Sequence, residues 1–222
     1  MAYAFVNSGS GTTNALTYSP TPGNYLIVMS VTSTGGGSPI ASIADNGSGS
    51  WTTQIATVSS GGDGQFMTLF TCGSAASSVT TITLTYSGGT PGTVALAVVE
   101  YSGLSPTGFI GPSTQNFQTT PGTAANAITT TNVNVTAQPA ALFGWSANMT
   151  GNAGTTAGTL LGFTRRINVA TNFIEDVRVT ATGNALATAT TSHAADDFSS
   201  YAFAISEGGG GGGNTASIAW VT

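Results

Sequence analysis

Lysine is absent from this chain, and charge of either sign is scarce. Lysine and arginine together number 3 and acidic residues 8, so charged residues make up 5% of the sequence and the formal net charge is −5. Soluble domains carry roughly 25% charged residues. Three arginines are too few for the basic stripe that replaces phosphate counterions, so we expect no nucleic-acid partner. A phosphate-binding loop of the usual form is also excluded, because it requires a lysine.

Cysteine, histidine and helical patterns are nearly missing as well. Cys72 is the single cysteine, which excludes an internal disulfide framework. His193 is the single histidine, so a metal site with two histidines is excluded, and the nucleophile motif G-x-S-x-G does not occur. No window repeats apolar residues at helical spacing, and the longest apolar run has the length of a strand, so we expect no membrane span. We therefore predict no catalytic residues and no cofactor.

Strand patterns fill the sequence instead. Residues 93–103 are apolar on both alternating sets of positions, which predicts a strand covered on both faces near the middle of a sandwich. Residues 82–86 alternate apolar residues with threonine, and a glycine-rich turn follows them. This spacing predicts that the two stretches pair as a hairpin.

The same order of strand patterns is written twice along the chain. The matching stretches are 25–31 with 140–147, 51–55 with 163–167, 66–72 with 173–180, and 82–103 with 186–207. Further strands are expected at 3–6 and 130–136. Two similar four-strand halves predict an all-β fold, a single jelly-roll β-sandwich of about eight to ten antiparallel strands over residues 1–207.

Several short segments carry a resemblance to known domains. They are ADNGSGSWTT at 44–53, PGNYLIVMSV at 22–31, AVVEYSGL at 97–104, GFTRRI at 162–167 and TGNALATATTS at 182–192. Across most of residues 21–207 the chain resembles jelly-roll β-sandwich domains of bacterial surface proteins and of phage virion structural proteins, either decoration or fibre-like. The resemblance implies a jelly-roll fold and an exterior setting, and it brings no catalytic residues.

Four side chains are the candidates for a site or an ion pair. Asp45 begins a turn that needs positive φ, and a calcium site is the alternative because carboxylate oxygens are hard ligands. Trp51 opens a strand, where it is either a core residue or a stacking platform for a glycan. Glu175 and Asp176 are adjacent in a strand, so they point to opposite faces and cannot act on one bond. We expect Asp176 to form an exposed cross-strand pair with Arg165 or Arg166.

The C-terminal segment departs from the sandwich pattern. Residues 208–213 are a glycine linker, and residues 214–222 are predicted to form a tail strand. In this strand Ala216, Ile218 and Trp220 share one face and are candidate subunit contacts. The tail strand either covers an edge of its own sandwich or adds to the sheet of a neighbouring subunit.

The composition and the start of the chain together indicate a function class. A surface of uncharged polar residues lacks the repulsion that keeps monomers apart, which favours a protein that is assembled or lies outside cells. The first residues show no secretory signal pattern, and phage virion proteins meet both conditions. We expect a non-enzymatic virion protein, a capsid decoration or fibre-like subunit that forms homo-oligomers and contacts other virion proteins. The alternatives are a carbohydrate-binding or adhesive module at the cell surface and an extracellular filament subunit.

Overall fold

The fold was analysed in a computed structural model, and the description covers most of the chain. The described residues are 2–33, 40–59, 65–87, 91–92, 94–119, 126–148, 155–158, 161–169, 172–191 and 197–208. Among them all regular structure is β-strand and no helix occurs, so the all-β prediction is confirmed.

The described residues of the first half form eight strands. They are β1 (Ala4–Gly11), β2 (Ala15–Thr17), β3 (Tyr25–Ser33), β4 (Ile40–Asp45), β5 (Trp51–Ser59), β6 (Gln65–Cys72), β7 (Thr81–Tyr86) and β8 (Val94–Ser102). A large sheet has the order β1-β8-β3-β6-β5, and a small sheet has the order β2-β7-β4. The pairings in both sheets are antiparallel.

The second half contains eleven strands in the described residues. They are β9 (Leu104–Ile110), β10 (Asn116–Thr119), β11 (Asn126–Thr129), β12 (Val133–Val135), β13 (Ala140–Asn148), β14 (Thr155–Ala157), β15 (Thr164–Val169), β16 (Asn172–Val179), β17 (Gly183–Ala185), β18 (Thr188–Thr191) and β19 (Asp197–Glu207). The second large sheet has the order β10-β19-β13-β16-β15, with β9 also paired to β19. Two small sheets, β11-β18-β14 and β12-β17, accompany it.

The two halves repeat one strand order. In the large sheets β8-β3-β6-β5 corresponds to β19-β13-β16-β15, and in the small sheets β2-β7-β4 corresponds to β11-β18-β14. The stretches matched in the sequence therefore occupy equivalent places. The strand total of nineteen exceeds the predicted eight to ten. The additional strands are mostly short and rich in threonine, alanine and asparagine, so they lack the apolar runs by which strands are recognised in a sequence.

The two large sheets pack face to face around a central core. Its side chains come from both halves and alternate along the strands; they include Ile27, Met29, Leu69, Val99 and Tyr101 of the first half and Phe143, Trp145, Ile174, Phe203 and Ile205 of the second. The rings of Tyr101 and Phe143 meet edge to face across the two halves, with their centroids 5.3 Å apart. Edge-to-face contact of this kind is favourable beyond the area that it buries.

Each large sheet also buries its other face beneath small-sheet strands. In the first half Val28, Phe70 and Leu96 meet Leu16, Ile82 and Leu84 in a first outer core. In the second half Leu142 and Ala204 meet Val135 and Ala185, while Phe173 and Phe198 meet Ile128 and Ala189. The layers therefore follow the order small, large, large, small.

The predicted hairpin of residues 82–86 with 93–103 is wrong. β7 pairs with β2 and β4 in the small sheet, whereas β8 pairs with β1 and β3 in the large sheet. The reason lies in the two patterns themselves. β8 is apolar on both faces and is buried from Val94 to Tyr101, which requires an inner layer. β7 exposes part of its threonine face, which fits an outer layer.

Candidate functional site

In the part of the chain that the structure describes, three carboxylates are buried inside the sandwich, and each has a different structural setting. Glu100, Glu175 and Asp176 each expose 1% of their surface. A buried carboxylate is costly unless other groups compensate for its lost hydration. Their partners therefore indicate which parts of the fold they hold together.

Asp176 lies at the boundary between the two halves, on the central-core face of β16. Arg166 of β15 binds it through Nε, 3.0 Å from each carboxylate oxygen, and through an NH2 group 2.8 Å from Oδ1. Tyr101 of β8 donates its hydroxyl to Oδ2 at 2.5 Å. The guanidinium carbon of Arg166 lies 4.8 Å from the ring centre of Phe5 in β1, a cation–π contact. We call Phe5, Tyr101, Arg166 and Asp176 the inter-half cluster.

The inter-half cluster corrects the prediction of an exposed pair. Asp176 does pair with Arg166 across neighbouring strands, but the carboxylate is buried because its strand lies between two layers. Burial and the neighbouring Asp176 carboxylate raise the pKa of Tyr101 well above its ordinary value. The phenol therefore stays protonated and donates to the carboxylate. This arrangement connects the two large sheets.

Glu175 points to the opposite face of β16, toward the small sheets. Its Oε2 accepts a hydrogen bond of 2.8 Å from the backbone N–H of Gly158. Gly144 lies opposite it in β13, and a Cβ on that glycine would come 2.5 Å from the Ala187 side chain and 3.0 Å from Glu175 Oε1. Burial raises the pKa of Glu175 to about 8. The carboxyl group therefore lies in a tight space that only glycine leaves open.

Hydroxyl groups lie on the outer face of the corresponding pair of strands, β3 and β6, in the first half. Thr68 of β6 lies opposite Ser30 of β3, just as Glu175 of β16 lies opposite Gly144 of β13. The hydroxyls of Ser30 and Thr32 are buried without a hydrogen-bond partner. Both halves thus bury polar side chains on the outer face of these two strands, carboxyl in one and hydroxyl in the other.

Glu100, at the end of β8, holds the loop between β2 and β3. Tyr18 donates its hydroxyl to Oε2 at 2.9 Å, while the Thr21 N–H and the Asn24 side-chain amide donate to Oε1 at 2.9 and 2.6 Å. Burial and the hydrogen bond to Glu100 raise the pKa of Tyr18. These contacts come from one short loop, so the role of Glu100 is to fix its path.

Asp45 and Trp51 are joined in one closed loop. Asp45 Oδ1 accepts the N–H groups of Gly47 and Gly49, both at 2.9 Å, and Oδ2 accepts the indole N–H of Trp51 at 2.8 Å. The positive φ of this loop lies at Ser48, with a value of 63°, and not at Asp45, Asn46 or Gly47 as the sequence suggested. Trp51 is half-buried and packs against the first outer core. Both carboxylate oxygens are thus directed at N–H donors, and part of the tryptophan ring is covered.

A substitution at Asp45 separates the turn interpretation from the calcium alternative. Asp45→Asn replaces one acceptor oxygen by an amide that faces N–H donors, so we expect the free energy of unfolding to fall by about 2 kcal/mol. Urea unfolding followed by tryptophan fluorescence measures this. Ser50→Ala, an exposed position in the same loop, is the control and should change stability by less than about 0.5 kcal/mol. A rise in wild-type stability on adding calcium, absent in Asp45→Asn, would instead support a calcium site.

Other predicted positions fall outside the described residues. They are the glycine linker beyond Gly208, the tail residues Ala216, Ile218 and Trp220, and His193. The part of the chain that the structure describes contains no group of three or more His, Cys, Asp or Glu residues that could hold a metal. The same part contains no helix able to cross a membrane.

The sequence did not single out β1, an outer strand of the first large sheet, as a contact surface. β1 pairs on one side with β8 and contains Val6, which is 42% exposed. Phe117, on β10 at an edge of the second large sheet, is 41% exposed. These two are the exposed large apolar side chains of the described structure. No protein-family model, curated protein or solved structure matches the chain.

Proposed function

We propose that this chain is a non-enzymatic structural protein of a virion, a capsid decoration or fibre-like subunit that acts by self-assembly. The observation that carries the proposal is the internal use of charge. Within the described structure at least seven charged side chains bind other groups of the chain: Asp45, Glu100, Arg166, Glu175, Asp176, Arg178 and Glu207. The surface is left with mostly uncharged polar groups, which hydrogen-bond a neighbouring subunit without strong repulsion.

The strand order supports a jelly-roll fold for this function. In the first half β8 lies between β1 and β3 in one sheet, and β7 lies between β2 and β4 in the other. Such wrapping of successive strand pairs across two sheets is the jelly-roll arrangement, which is common in viral capsid domains. The second half has the same order, so the proposal is one jelly roll in each half in place of a single one over both. Fold alone does not define function, so the inference of self-assembly rests on the charge distribution.

Within this proposal the tail strand is the linking element. Ala216, Ile218 and Trp220 alternate with smaller or polar residues, a pattern suited to adding a strand to another sheet. Main-chain hydrogen bonds give such a contact its affinity, and alternate side chains give it specificity. The glycine linker, residues 208–213, provides the length of chain by which the tail strand can extend to a neighbouring subunit.

The mass of the full-length protein in solution tests the proposal. We expect multi-angle light scattering to give a defined oligomer at micromolar concentration, and electron microscopy of the same sample to show regular particles or filaments. A monomer at every concentration up to the millimolar range would contradict self-assembly. Binding to a glycan array by such a monomer would instead favour the carbohydrate-binding alternative.

A further inference from the structure

The tail strand needs an acceptor edge, and the edges of the described sheets differ in how well they are protected. Natural edge strands avoid pairing with other chains by being short, bulged, charged or covered. Most edge strands of the small sheets are short: β2, β12, β14 and β17 have three residues each and β11 has four. The exception is β4, which has six residues, ends in the charged Asp45 and has a register shift between Ile40 and Ser42. Five outer strands of the large sheets therefore remain to be compared: β1, β5, β9, β10 and β15.

Four of these five outer strands carry a protecting feature. β5 has two register shifts against β6, at Thr53/Ile55 and at Ile55/Val58. β15 carries the two adjacent arginines at 165 and 166. β10 is short, with four residues, and the side chains of Asn116 and Gln118 hydrogen-bond the backbone of Thr129 at 2.7 Å each. β9 contains a proline, Pro106, and has a register shift against β19.

β1 has the weakest protection. It is eight residues long, AFVNSGSG, and contains no charged residue and no proline. One register shift, between Phe5 and Asn7, leaves Val6 exposed. Among the described residues the backbone of β1 pairs only with β8 and makes no further backbone hydrogen bond. A long, uncharged edge with an exposed valine favours pairing with another strand.

The point where the tail leaves the fold decides which copy can supply that strand. The N–H of Gly208 donates to the carbonyl of Gly103 at 2.7 Å. Gly103 in turn packs on the N-terminal residues, since a Cβ there would lie 3.1 Å from Cα of Tyr3. The tail therefore starts at the Ala4 end of β1.

Chain length then opposes antiparallel pairing within one molecule. An antiparallel tail strand would have to begin near Gly11, and β1 is about 26 Å long at the usual rise per residue. The six residue steps from Gly208 to Asn214 extend at most about 21 Å. The pairings within both large sheets are antiparallel, so a strand added in the same manner must come from elsewhere.

We propose that β1 is the acceptor for the tail strand, residues 214–222, of a second copy of this chain, paired antiparallel. This proposal rests on the proposed self-assembly, and it specifies the contact by which the copies assemble. Each molecule then offers one tail and one β1 edge, so the contact is head-to-tail. Such a contact closes into a ring or continues into a filament, depending on the rotation between copies.

Disulfide trapping between full-length variants tests the pairing directly. Val6→Cys protein is mixed with single cysteine variants at each position from 216 to 220, oxidised mildly, and analysed by intact mass. We expect cross-linked dimers with a period of two along the tail, because alternate residues of a strand share a face. Phe117→Cys is the matched control, with nearly equal exposure on the other large sheet, and should give no such pattern. Wild-type protein controls for the buried Cys72.

A second measurement keeps the result interpretable if a cysteine variant is altered. Val6→Lys places a charge on the edge and should shift the light-scattering mass to monomer, while Phe117→Lys should leave the mass unchanged. Assembly that persists in Val6→Lys without any cross-link to Val6→Cys would overturn the β1 proposal and leave the proposed function intact. Absence of assembly in the wild type would count against the proposed function itself. A double variant with Val6→Cys and one tail cysteine tests pairing within one molecule. If only this variant forms a disulfide, and does so within a single chain, the tail pairs with its own β1 and the proposal is also overturned.

Discussion

Replacing Asp176 by asparagine is expected to lower the free energy of unfolding by about 3–5 kcal/mol, the range found when one partner of a buried ion pair is removed. The carboxylate is 1% exposed, binds the Arg166 guanidinium and accepts the Tyr101 hydroxyl. Asparagine keeps the shape but not the charge, so it leaves a partly buried guanidinium without its counter-ion. Urea denaturation at neutral pH, followed by circular dichroism, measures the change.

The two adjacent arginines provide a matched control for this expectation. Arg166 reaches the carboxylate between the layers, whereas Arg165, one residue earlier in β15, has an exposed side chain. Arg166→Gln should cost nearly as much as Asp176→Asn, because it leaves a buried carboxylate unpaired. Arg165→Gln should cost less than about 1 kcal/mol. Equal losses for the two arginines would show that the inter-half cluster does not carry the stability assigned to it.

Glu175→Gln is expected to make the protein more stable in alkaline solution and to remove most of a pH dependence. The pKa of Glu175 is about 8 in the fold against an ordinary value of 4.5, because burial disfavours the charged form. Between these pH values the folded chain holds a proton that the unfolded chain has released. Stability is therefore fullest below about pH 4.5 and falls as the pH rises through 8, by at most about 5 kcal/mol for this group.

Thermal melts between pH 5 and pH 9 measure the effect. The melting temperature of the wild type should fall relative to Glu175→Gln across this range, and the two should be closest at pH 5. Glutamine still accepts from the Gly158 N–H, so the comparison isolates the charge. The difference should persist in 0.5 M salt, because buried charges are screened much less than exposed ones. Parallel curves for the two proteins would mean that Glu175 is not held neutral by the fold.

Much of the fold follows from the pattern of apolar residues. The central position of β8 is evident from its two apolar faces, and the repeated order of the halves is evident from matched strand patterns. The pattern of apolar residues does not show which strands pair with each other or which layer each strand joins. β7 and β8 are adjacent in the sequence, and this short separation suggests a hairpin. They join different layers because their faces differ in polarity.

The buried carboxylates show a second limit of reading the sequence. Glu175 and Asp176 are typical of an exposed strand, because acidic residues usually remain in water. A local signal for Glu175 does exist. Gly144 interrupts an otherwise apolar strand, and a glycine in a strand interior often marks a close approach by another group. That group is the carboxyl side chain of Glu175 on the neighbouring strand. Nothing comparable near Asp176 predicts Tyr101 as its partner, since 75 residues separate the two.

The position of β19 gives the C-terminal end of the fold mechanical strength. This eleven-residue strand pairs with β13 along nine residue pairs on one side, and with β10 and β9 on the other. At the end of the strand the backbone N–H groups of Glu207 and Gly208 donate hydrogen bonds to the carbonyls of Pro139 and Gly103. A pull on the chain beyond Gly208 is directed along this strand, so it loads both rows of hydrogen bonds in shear. Many hydrogen bonds then resist the tension together, so we expect the C-terminal strand to stay in the fold when the chain beyond it is pulled.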